Sequence, residues 1–589
     1  MPSLYGIVTR GAPDQTNALL AQVLEAVPAG SNHTCHQRAS AQAGLLVSTR
    51  STQGGIAASD THWLAFLGQV VEDDDYRKRL SRLPVQTPES FCEQLLALYT
   101  YLGVEALQGL NGQYALAVWE ERTQRMLLIN DRYGLQPFYI WRGPHEFAFS
   151  THLRAIAAHP AFRRQVNPVA LVDLLASGQM LGDNTLYAGV RAVPPATRLL
   201  FEAGYLVMEP YARLPFYTPG WSDPEPQSVV EGLDGYLHEA VRRRARDGTR
   251  LLLTGGMDSR LLAGYLGEQR NGLAFSTSTI GQPRSRDVLL AQSVAEQAGL
   301  PHYFTPANPG YLRDNAARCV QVTEGNLNVH AAWIFGEEED LSGHPAAALM
   351  TGAGAEGISG RHVLIEQSPE NEQQALNWLF NHHWQYPQAA PLLRPELQSA
   401  LAESQARVSQ LLRTTQADLF ASRLDEFHYR LMHRHPTGSL LNEVIDVQEP
   451  YLDNDLVNYT LGLPPQMRQR GKLFQELLAR RFPRLAALPG AKTQPRRSML
   501  QRAWGKMGFF LKQGAQGDDP SHAIFYNDWL RNAARTYVTG LLTRGDLLGD
   551  YFEMRAVRRL LDEHMTGRTD AYRPIGALLT FAEWRKQFS

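Results

Sequence analysis

Two hydrophobic rhythms divide this 589-residue chain. Up to about residue 212, short apolar runs recur between turn-forming residues: YGIVT from Tyr5, HWLAFLG from His62, GQYALAVWEE from Gly112, RMLLIND from Arg125, FYIWRG from Phe138 and EFAFST from Glu146. Such runs predict stacked antiparallel strands. Helical spacing over Gln15 to Val27 and Glu89 to Tyr101 interrupts them, so a layered α+β domain follows. The rhythm lapses across 213–228, RLPFYTPGWSDPEPQS, which reads as a linker. Beyond it the text alternates. Helices are predicted over Val229–Arg246, Asp258–Gly267 and Arg286–Ala298, and strands over Arg250–Leu253, Leu273–Thr277, His302–Phe304 and Ala346–Thr351. That alternation predicts a parallel sheet with helices on both faces. After about Glu370 the chain is mostly helical, with amphipathic stretches near 397–413 and 553–566. The expected organisation is a domain over 1–212, the linker 213–228, and a second domain over 229–589.

Composition narrows the class without deciding it. Hydrophobic content of 44%, charged content of 20% and a net charge of −2 are those of an ordinary globular protein. No general field for nucleic acid or an anionic membrane results. Cys35, Cys92 and Cys319 form no CxxC pair, which argues against a disulfide framework or thiolate zinc site. The start, MPSLYGIVTRG, lacks the pattern of a signal peptide, and no run reaches membrane-spanning length. The expectation is a cytoplasmic protein with neither nucleic acid nor membrane as partner. HYRLMHRH (428–435) and His382-His383 lack metal-ligand spacing and read as polar helix ends; RRRARDGTR (242–250) reads as a solvated helix end.

Candidate chemistry centres on LLLTGGMDSRLLAGYL, Leu251 to Leu266. Thr254-Gly255-Gly256-Met257-Asp258-Ser259 leaves a predicted strand and opens a helix, the place where open α/β sheets bind ligands. Glycines let the main chain approach a ligand, and N–H groups at the helix start favour an anion. Asp258 would repel phosphate directly but could hold a bridging Mg²⁺. A plain turn capped by Asp258 and Ser259 accounts for the same letters. No GxxxxGK[ST] loop is present here. A second loop, Gly352-Ala-Gly-Ala-Glu-Gly357, formally matches GxGxxG but comes late in the sheet, so a nicotinamide or flavin enzyme is the weaker reading.

TGGMDS resembles the SGGxDS pyrophosphate loop of ATP pyrophosphatases that form acyl-adenylates. Later segments resemble the asparagine synthetase family in order: STSTIGQPRSRDVLLAQSVAEQAGLPHYF (276–304), MTGAGAEGISG, and EPYLDNDLVNYTLGLPPQMR (449–468) followed by KLFQELLARRFP. LNGQYALAVWEERTQRMLLINDRYGLQPFYIWRGPHEFAFSTHLRAI (110–156) resembles the class II glutamine amidotransferase domain. The resemblance implies an αββα sandwich of N-terminal-nucleophile type, then an α/β PP-loop domain with a helical C-terminal part. It further implies ATP and Mg²⁺ as cofactors. Thr254, Gly255, Gly256, Met257, Asp258, Ser259, Ser278, Gly352 and Gly354 would bind ATP or pyrophosphate, and Asp258 and Asp287 the metal. Lys492, with Arg496 and Arg497, is the candidate cation for the adenylation transition state, and Glu356 falls where the family has Asp.

Departures from the family pattern carry the functional expectation. LYGI stands where the amidotransferases have a sequence like MCGI, so Tyr5 occupies the nucleophile's position behind further residues. A phenol near its ordinary pKa of about 10 is a poor replacement for a thiolate. FLGQVVEDDD replaces the glutamine-binding NGE segment, and Ala353 replaces an acid. The expected activity is ATP-dependent amide formation whose nitrogen does not come from glutamine. Relatives with a silent glutaminase half include lasso-peptide cyclases, which join a precursor peptide's N-terminal amine to an Asp or Glu side chain, and β-lactam synthetases. The cyclase is the preferred expectation, with a leader peptidase and leader-binding protein as partners. A small-molecule cyclase and an ammonia-using amidotransferase fit the same motifs, and a tRNA-modifying PP-loop enzyme fits them less well.

Overall fold

A computed structural model describes residues 2–9, 13–27, 32–219, 224–269, 272–362, 366–432, 440–490 and 523–588. The first half contains β1 (Ser3–Val8), α1 (Pro13–Ala26), β2 (Thr34–Ala39), β3 (Ala43–Thr49), β4 (Gly55–Ala58) and β5 (His62–Val70). Next come α2 (Phe91–Leu102), β6 (Gly112–Glu120), β7 (Arg125–Asn130), β8 (Tyr139–Arg142) and β9 (Phe147–Ser150). α3 (Pro168–Ser177), β10 (Val190–Ala192), β11 (Thr197–Glu202) and β12 (Tyr205–Pro210) complete it. The strands form two six-stranded antiparallel sheets, ordered β10-β8-β9-β1-β3-β2 and β12-β11-β7-β6-β5-β4.

Alternation along each strand explains the layers. Leu4, Leu45 and Phe149 of one sheet meet Trp63, Ala117 and Trp119 of the other. Their neighbours point the opposite way. Tyr5, Ile7 and Leu46 pack with Leu20 and Val23 of α1, while Phe66, Leu116 and Ile129 pack with Leu95 and Leu98 of α2. This is the αββα sandwich. β2 and β3 escape the sequence pattern for opposite reasons. TCHQRA is a largely exposed strand at a sheet edge, whereas AGLLVST is buried on both faces and shows no alternation.

In the second half, α4 (Pro226–Arg244) precedes β13 (Thr249–Leu252), α5 (Met257–Glu268), β14 (Ser276–Gly281), α6 (Arg286–Ala298) and β15 (His302–Pro306). β16 (Ala348–Met350), the one-turn α7 (Ala355–Ile358) and β17 (Val447–Gln448) follow. All four strand pairs are parallel, in the order β15-β14-β13-β16-β17. The chain leaves β13 for one edge, then returns to β13's other side with β16. Outside the carboxyl ends of β13 and β16 lies the crevice of such a sheet. Both glycine loops open there. β14 lies about three residues later than LAFST suggests, because Ala274 and Phe275 serve the approach to the sheet while Thr277 pairs with His302.

The helical remainder includes α8 (Gln398–Arg413), α9 (Asn454–Leu461), α10 (Met554–Met565) and α11 (Tyr572–Phe588). α11 is buried almost all round, so it shows no polar face; Tyr187 of the first half donates a hydrogen bond to the Phe588 carbonyl at 2.7 Å. Among the described residues, no helix is long and apolar enough to cross a membrane. All three cysteines are free, with Cys92 and Cys319 buried.

The basic run 242–250 is a solvated helix end only in part: Arg242 and Arg246 are exposed, whereas Arg244 and Arg250 are buried. Arg244 is buried between the halves, donating to Asp453 at 2.6 Å and to Asn111 at 2.9 Å. Arg250 is buried with Asp340 and lies over the Tyr303 ring. Opposite charges supplied by segments 90 to more than 200 residues away make this burial tolerable. His428 is likewise a core residue, stacked 4.6 Å from His362 with the rings 10° apart. His433 and His435 lie outside the described residues.

Candidate active site

The first glycine loop is shaped by what crowds it. A Cβ at Gly255 would stand 2.5 Å from Leu290 of α6, so only glycine admits that helix so close. Gly256 starts α5, and no side chain caps the helix there. Its first-turn N–H groups are therefore available to an anion. Thr254 is exposed at the mouth and its hydroxyl lies 3.0 Å from that of Ser259. Ser259 itself is buried and braces the loop from inside, donating to the Thr254 carbonyl. Arg260 is buried beneath, reaching the carbonyls of Gly255 at 3.0 Å, Leu485 at 3.1 Å and Leu488 at 2.9 Å.

The second loop meets the first face to face. Gly354 has φ +85°, and a Cβ there would come 2.5 Å from Leu452. Gly352 instead faces open space. Arg361, at the end of this loop, forms an ion pair with Asp258 of the first. Burial pushes the Asp258 carboxyl up, and Arg361 opposes that shift. Only one carboxylate oxygen is engaged: Oδ1 of Asp258 is buried with no hydrogen-bond partner among the described residues.

That orphaned oxygen fits a cation ligand. Magnesium takes few protein carboxylates and completes its shell with substrate phosphates and water. Among the described residues, no group of three or more His, Cys, Asp or Glu could hold a metal by itself. Asp287 sits half-buried in the first turn of α6, one turn from the Leu290 that abuts Gly255.

The segment from Glu449 to Asp453 supports both loops. Thr351 donates to Glu449, whose carboxyl burial pushes up to about 7. Tyr451 donates to the Asp258 carbonyl at 2.8 Å, Leu452 packs under Gly354, and Asp453 caps α9 while holding Arg244. One short motif thus joins two loops and two domains. Behind it, a cavity of about 470 Å³ opens between the halves, lined by residues such as Arg50, Gln69, Arg246, Asp446 and Glu449.

Other candidates from the sequence fall in different places. Ser278 is buried and its hydroxyl donates to Glu337 at 2.6 Å, so the side chain is committed beneath the sheet end. Met257 is half-buried beside Gly471. The Glu356 side chain is 60% exposed, with its Oε1 3.9 Å from His428 Nε2. His362 beneath it donates through Nε2 to Asp425 at 2.8 Å, and Asp425 also accepts from Arg468 at 2.6 Å. Lys492, Arg496 and Arg497 lie outside the described residues. The chain leading to them is nevertheless tethered: Arg286 donates to the Gly490 carbonyl at 2.7 Å.

Tyr5 is part of the outer core of the first sheet, 1% exposed, paired in register with Leu46 and Ser150. Its hydroxyl has no hydrogen-bond partner among the described residues. Burial, with the Glu146 charge, pushes the phenol well above its ordinary pKa. Sequence reasoning missed Arg361, Glu449 and Tyr451. Only the motif EPYLD signalled the last two, and nothing local marked Arg361.

A glutamine amidotransferase domain model matches residues 27–212, and an asparagine synthase model matches residues 232–586. Among curated relatives, asparagine synthetase [glutamine-hydrolyzing] 3 of Bacillus subtilis is 27% identical over 206 residues, covering 34% of this chain and 33% of the relative. Amidase chry2 of Gibberella zeae is 26% identical over 244 residues, covering 39% of this chain and 34% of the relative. The chain spans about a third of the length of the curated relatives it matches. The solved NMN synthetase from Francisella tularensis aligns with 36% of this chain and 97% of its own, at 15% identity and a TM-score of 0.20. The asparagine synthase model alone accounts for more than half of the residues, and the chain belongs to the asparagine synthase family.

Proposed function

We propose that this protein is an ATP-dependent amide ligase that adenylates a carboxylate, releases pyrophosphate and passes the acyl group to an amine carried by the substrate. The observation that carries this reading is a contrast within one chain. The glycine loop of β13 keeps an open helix start and an orphaned Asp258 oxygen, whereas Tyr5 is a buried phenol. A carboxylate oxygen attacks the α-phosphorus, pyrophosphate leaves, and the amine then displaces AMP from the acyl carbon. Main-chain N–H groups of Gly256 and the first turn of α5 hold the departing phosphates. Mg²⁺, held by Asp258 and Asp287, would supply charge neutralisation on the phosphate oxygens. Asp258 is itself held through its carbonyl by Tyr451.

The substrate we favour is a precursor peptide whose Asp or Glu side chain is closed onto its own N-terminal amine, with a leader-binding protein and a leader peptidase as partners. Ala353 in the second loop and the silent environment of Tyr5 support an amine that arrives with the substrate rather than from glutamine. A second reading is an ammonia-using amide synthetase acting on a small carboxylate; the matched relatives named as asparagine synthetases favour the small carboxylate, although those names specify glutamine as the nitrogen source. A small-molecule cyclase stands between the two.

Pyrophosphate release in the presence of candidate substrates tests the proposal. Wild type should turn over ATP without glutamine, and Asp258→Ala should lose that turnover. A precursor peptide supplied with its partners should lose the mass of one water. Glutamate release from glutamine at a rate matching ATP use would overturn the glutamine-independent reading. Ammonia-dependent addition to a free amino acid would replace the peptide substrate.

A further inference from the structure

The two glycine loops touch through one charged pair whose cation was not expected at this place. Arg361 reaches from the end of the second loop across the crevice to Asp258. Its Nε donates to Ser359 at 3.1 Å, and its aliphatic stem lies against Gly471, where a Cβ would come 2.8 Å from Arg361 Cδ. Gly471 has φ +70°, so that position admits glycine for conformation as well as for space. These contacts fix the stem and aim the terminal nitrogens at the mouth of the first loop. Nη2 meets Asp258 Oδ2, while Nη1 has no hydrogen-bond partner among the described residues.

We propose that Arg361 is a catalytic residue that binds the pyrophosphate end of ATP, and that its pairing with Asp258 is the resting position of that cation. The inference rests on the amide-ligase reading above. A guanidinium is suited to the task because its planar fork matches two phosphate oxygens at once. It stands beside the open helix start of α5, where phosphate would lie. In the resting pair, Arg361 offsets the charge of a largely buried carboxylate. When a divalent cation takes Asp258, that offset is no longer needed there. Arg361 is then free to follow the anion that accompanies the metal. The pair thus keeps a cation ready without leaving Asp258 unbalanced between turnovers.

The test is direct binding to the full chain, separate from turnover. Mn²⁺ binding without nucleotide is measured by electron paramagnetic resonance, and inorganic pyrophosphate binding with Mn²⁺ by calorimetry. Arg361→Gln should bind Mn²⁺ about tenfold more tightly, because a competing cation is gone. It should bind pyrophosphate about tenfold more weakly, the effect of one lost charge-assisted contact. Arg361→Lys should fall between wild type and Arg361→Gln for pyrophosphate, since it keeps the charge but loses the two-pronged fork. A gain in metal affinity cannot come from misfolding, so the first measurement separates a phosphate role from a purely structural one. Unchanged pyrophosphate affinity in Arg361→Gln, or a metal affinity that stays or falls, overturns the assignment of Arg361. Failure of wild type itself to bind pyrophosphate would overturn the amide-ligase reading and this assignment with it.

Discussion

Replacing Tyr5 by Phe tests most sharply the proposal that the first half does not hydrolyse glutamine. The phenol is 1% exposed, and its hydroxyl has no partner among the described residues. A buried hydroxyl without a hydrogen bond costs about 1–3 kcal/mol in protein mutational data. Its removal also forfeits the packing of one oxygen, so the net gain expected is about 1 kcal/mol. For a domain of roughly 200 residues, 1 kcal/mol corresponds to about 2–4 °C in melting temperature. Tyr5→Phe should therefore raise the calorimetric transition of the first half by that amount. ATP-dependent pyrophosphate release should stay unchanged, because the ring is 1% exposed in the core of the first sheet and does not reach the crevice between the glycine loops. Tyr5→Cys should not gain glutaminase activity, since burial that disfavours a phenolate disfavours a thiolate for the same reason. A lower melting temperature, or a loss of ATP turnover, in Tyr5→Phe would refute the reasoning by showing that the hydroxyl has a partner or a reacting role.

Other perturbations separate support from chemistry. Asp453→Asn leaves buried Arg244 without its counter-charge and should cost about 3–5 kcal/mol, read as a lower denaturation midpoint of the full chain. Burial would raise the Asp453 carboxyl, but Arg244 and Asn111 more than offset it and hold it below the ordinary value. Its stabilisation is thus present above about pH 4 and is lost as pH falls through the depressed pKa; Asp453→Asn should remove that part of the acid dependence. Gly354→Ala, at φ +85° and 2.5 Å from Leu452, should cost about 1–3 kcal/mol and lower ATP turnover. Gly352→Ala meets open space, so the fold should survive while the apparent KM for ATP rises. Arg260→Met frees the carbonyls of Leu485 and Leu488, and should slow pyrophosphate release while proteolysis near 485–490 accelerates.

Much of the architecture was legible because its signals are local. Alternation marked six strands of the sandwich, and helix–strand alternation marked four of the five parallel strands. The Gly255-Gly256 turn announced an uncapped helix start by chemistry that needs only neighbouring residues. Legibility stopped where burial removed periodicity, as in β3 and α11, or where a strand was only two residues long, as in β17. In the basic run 242–250, buried Arg244 and Arg250 were misread for a related reason. A string of arginines looks solvated until its acidic partners, Asp453 and Asp340, are brought to it from elsewhere in the chain.

By itself, then, the sequence determined the order of an α+β sandwich and a parallel-sheet α/β part, the strand-to-helix glycine turn at Gly255-Gly256, and the phenol at Tyr5. Each follows from residue types and spacings that do not depend on distant partners. Tertiary structure alone decided that Arg361 faces Asp258, that Glu449 and Tyr451 brace both loops, and that Tyr5 is sealed in the core. Those are contacts between segments about 100 to 200 residues apart, or burial by a packed layer. Their energies come from desolvation and charge pairing, which exist only once the chain has folded.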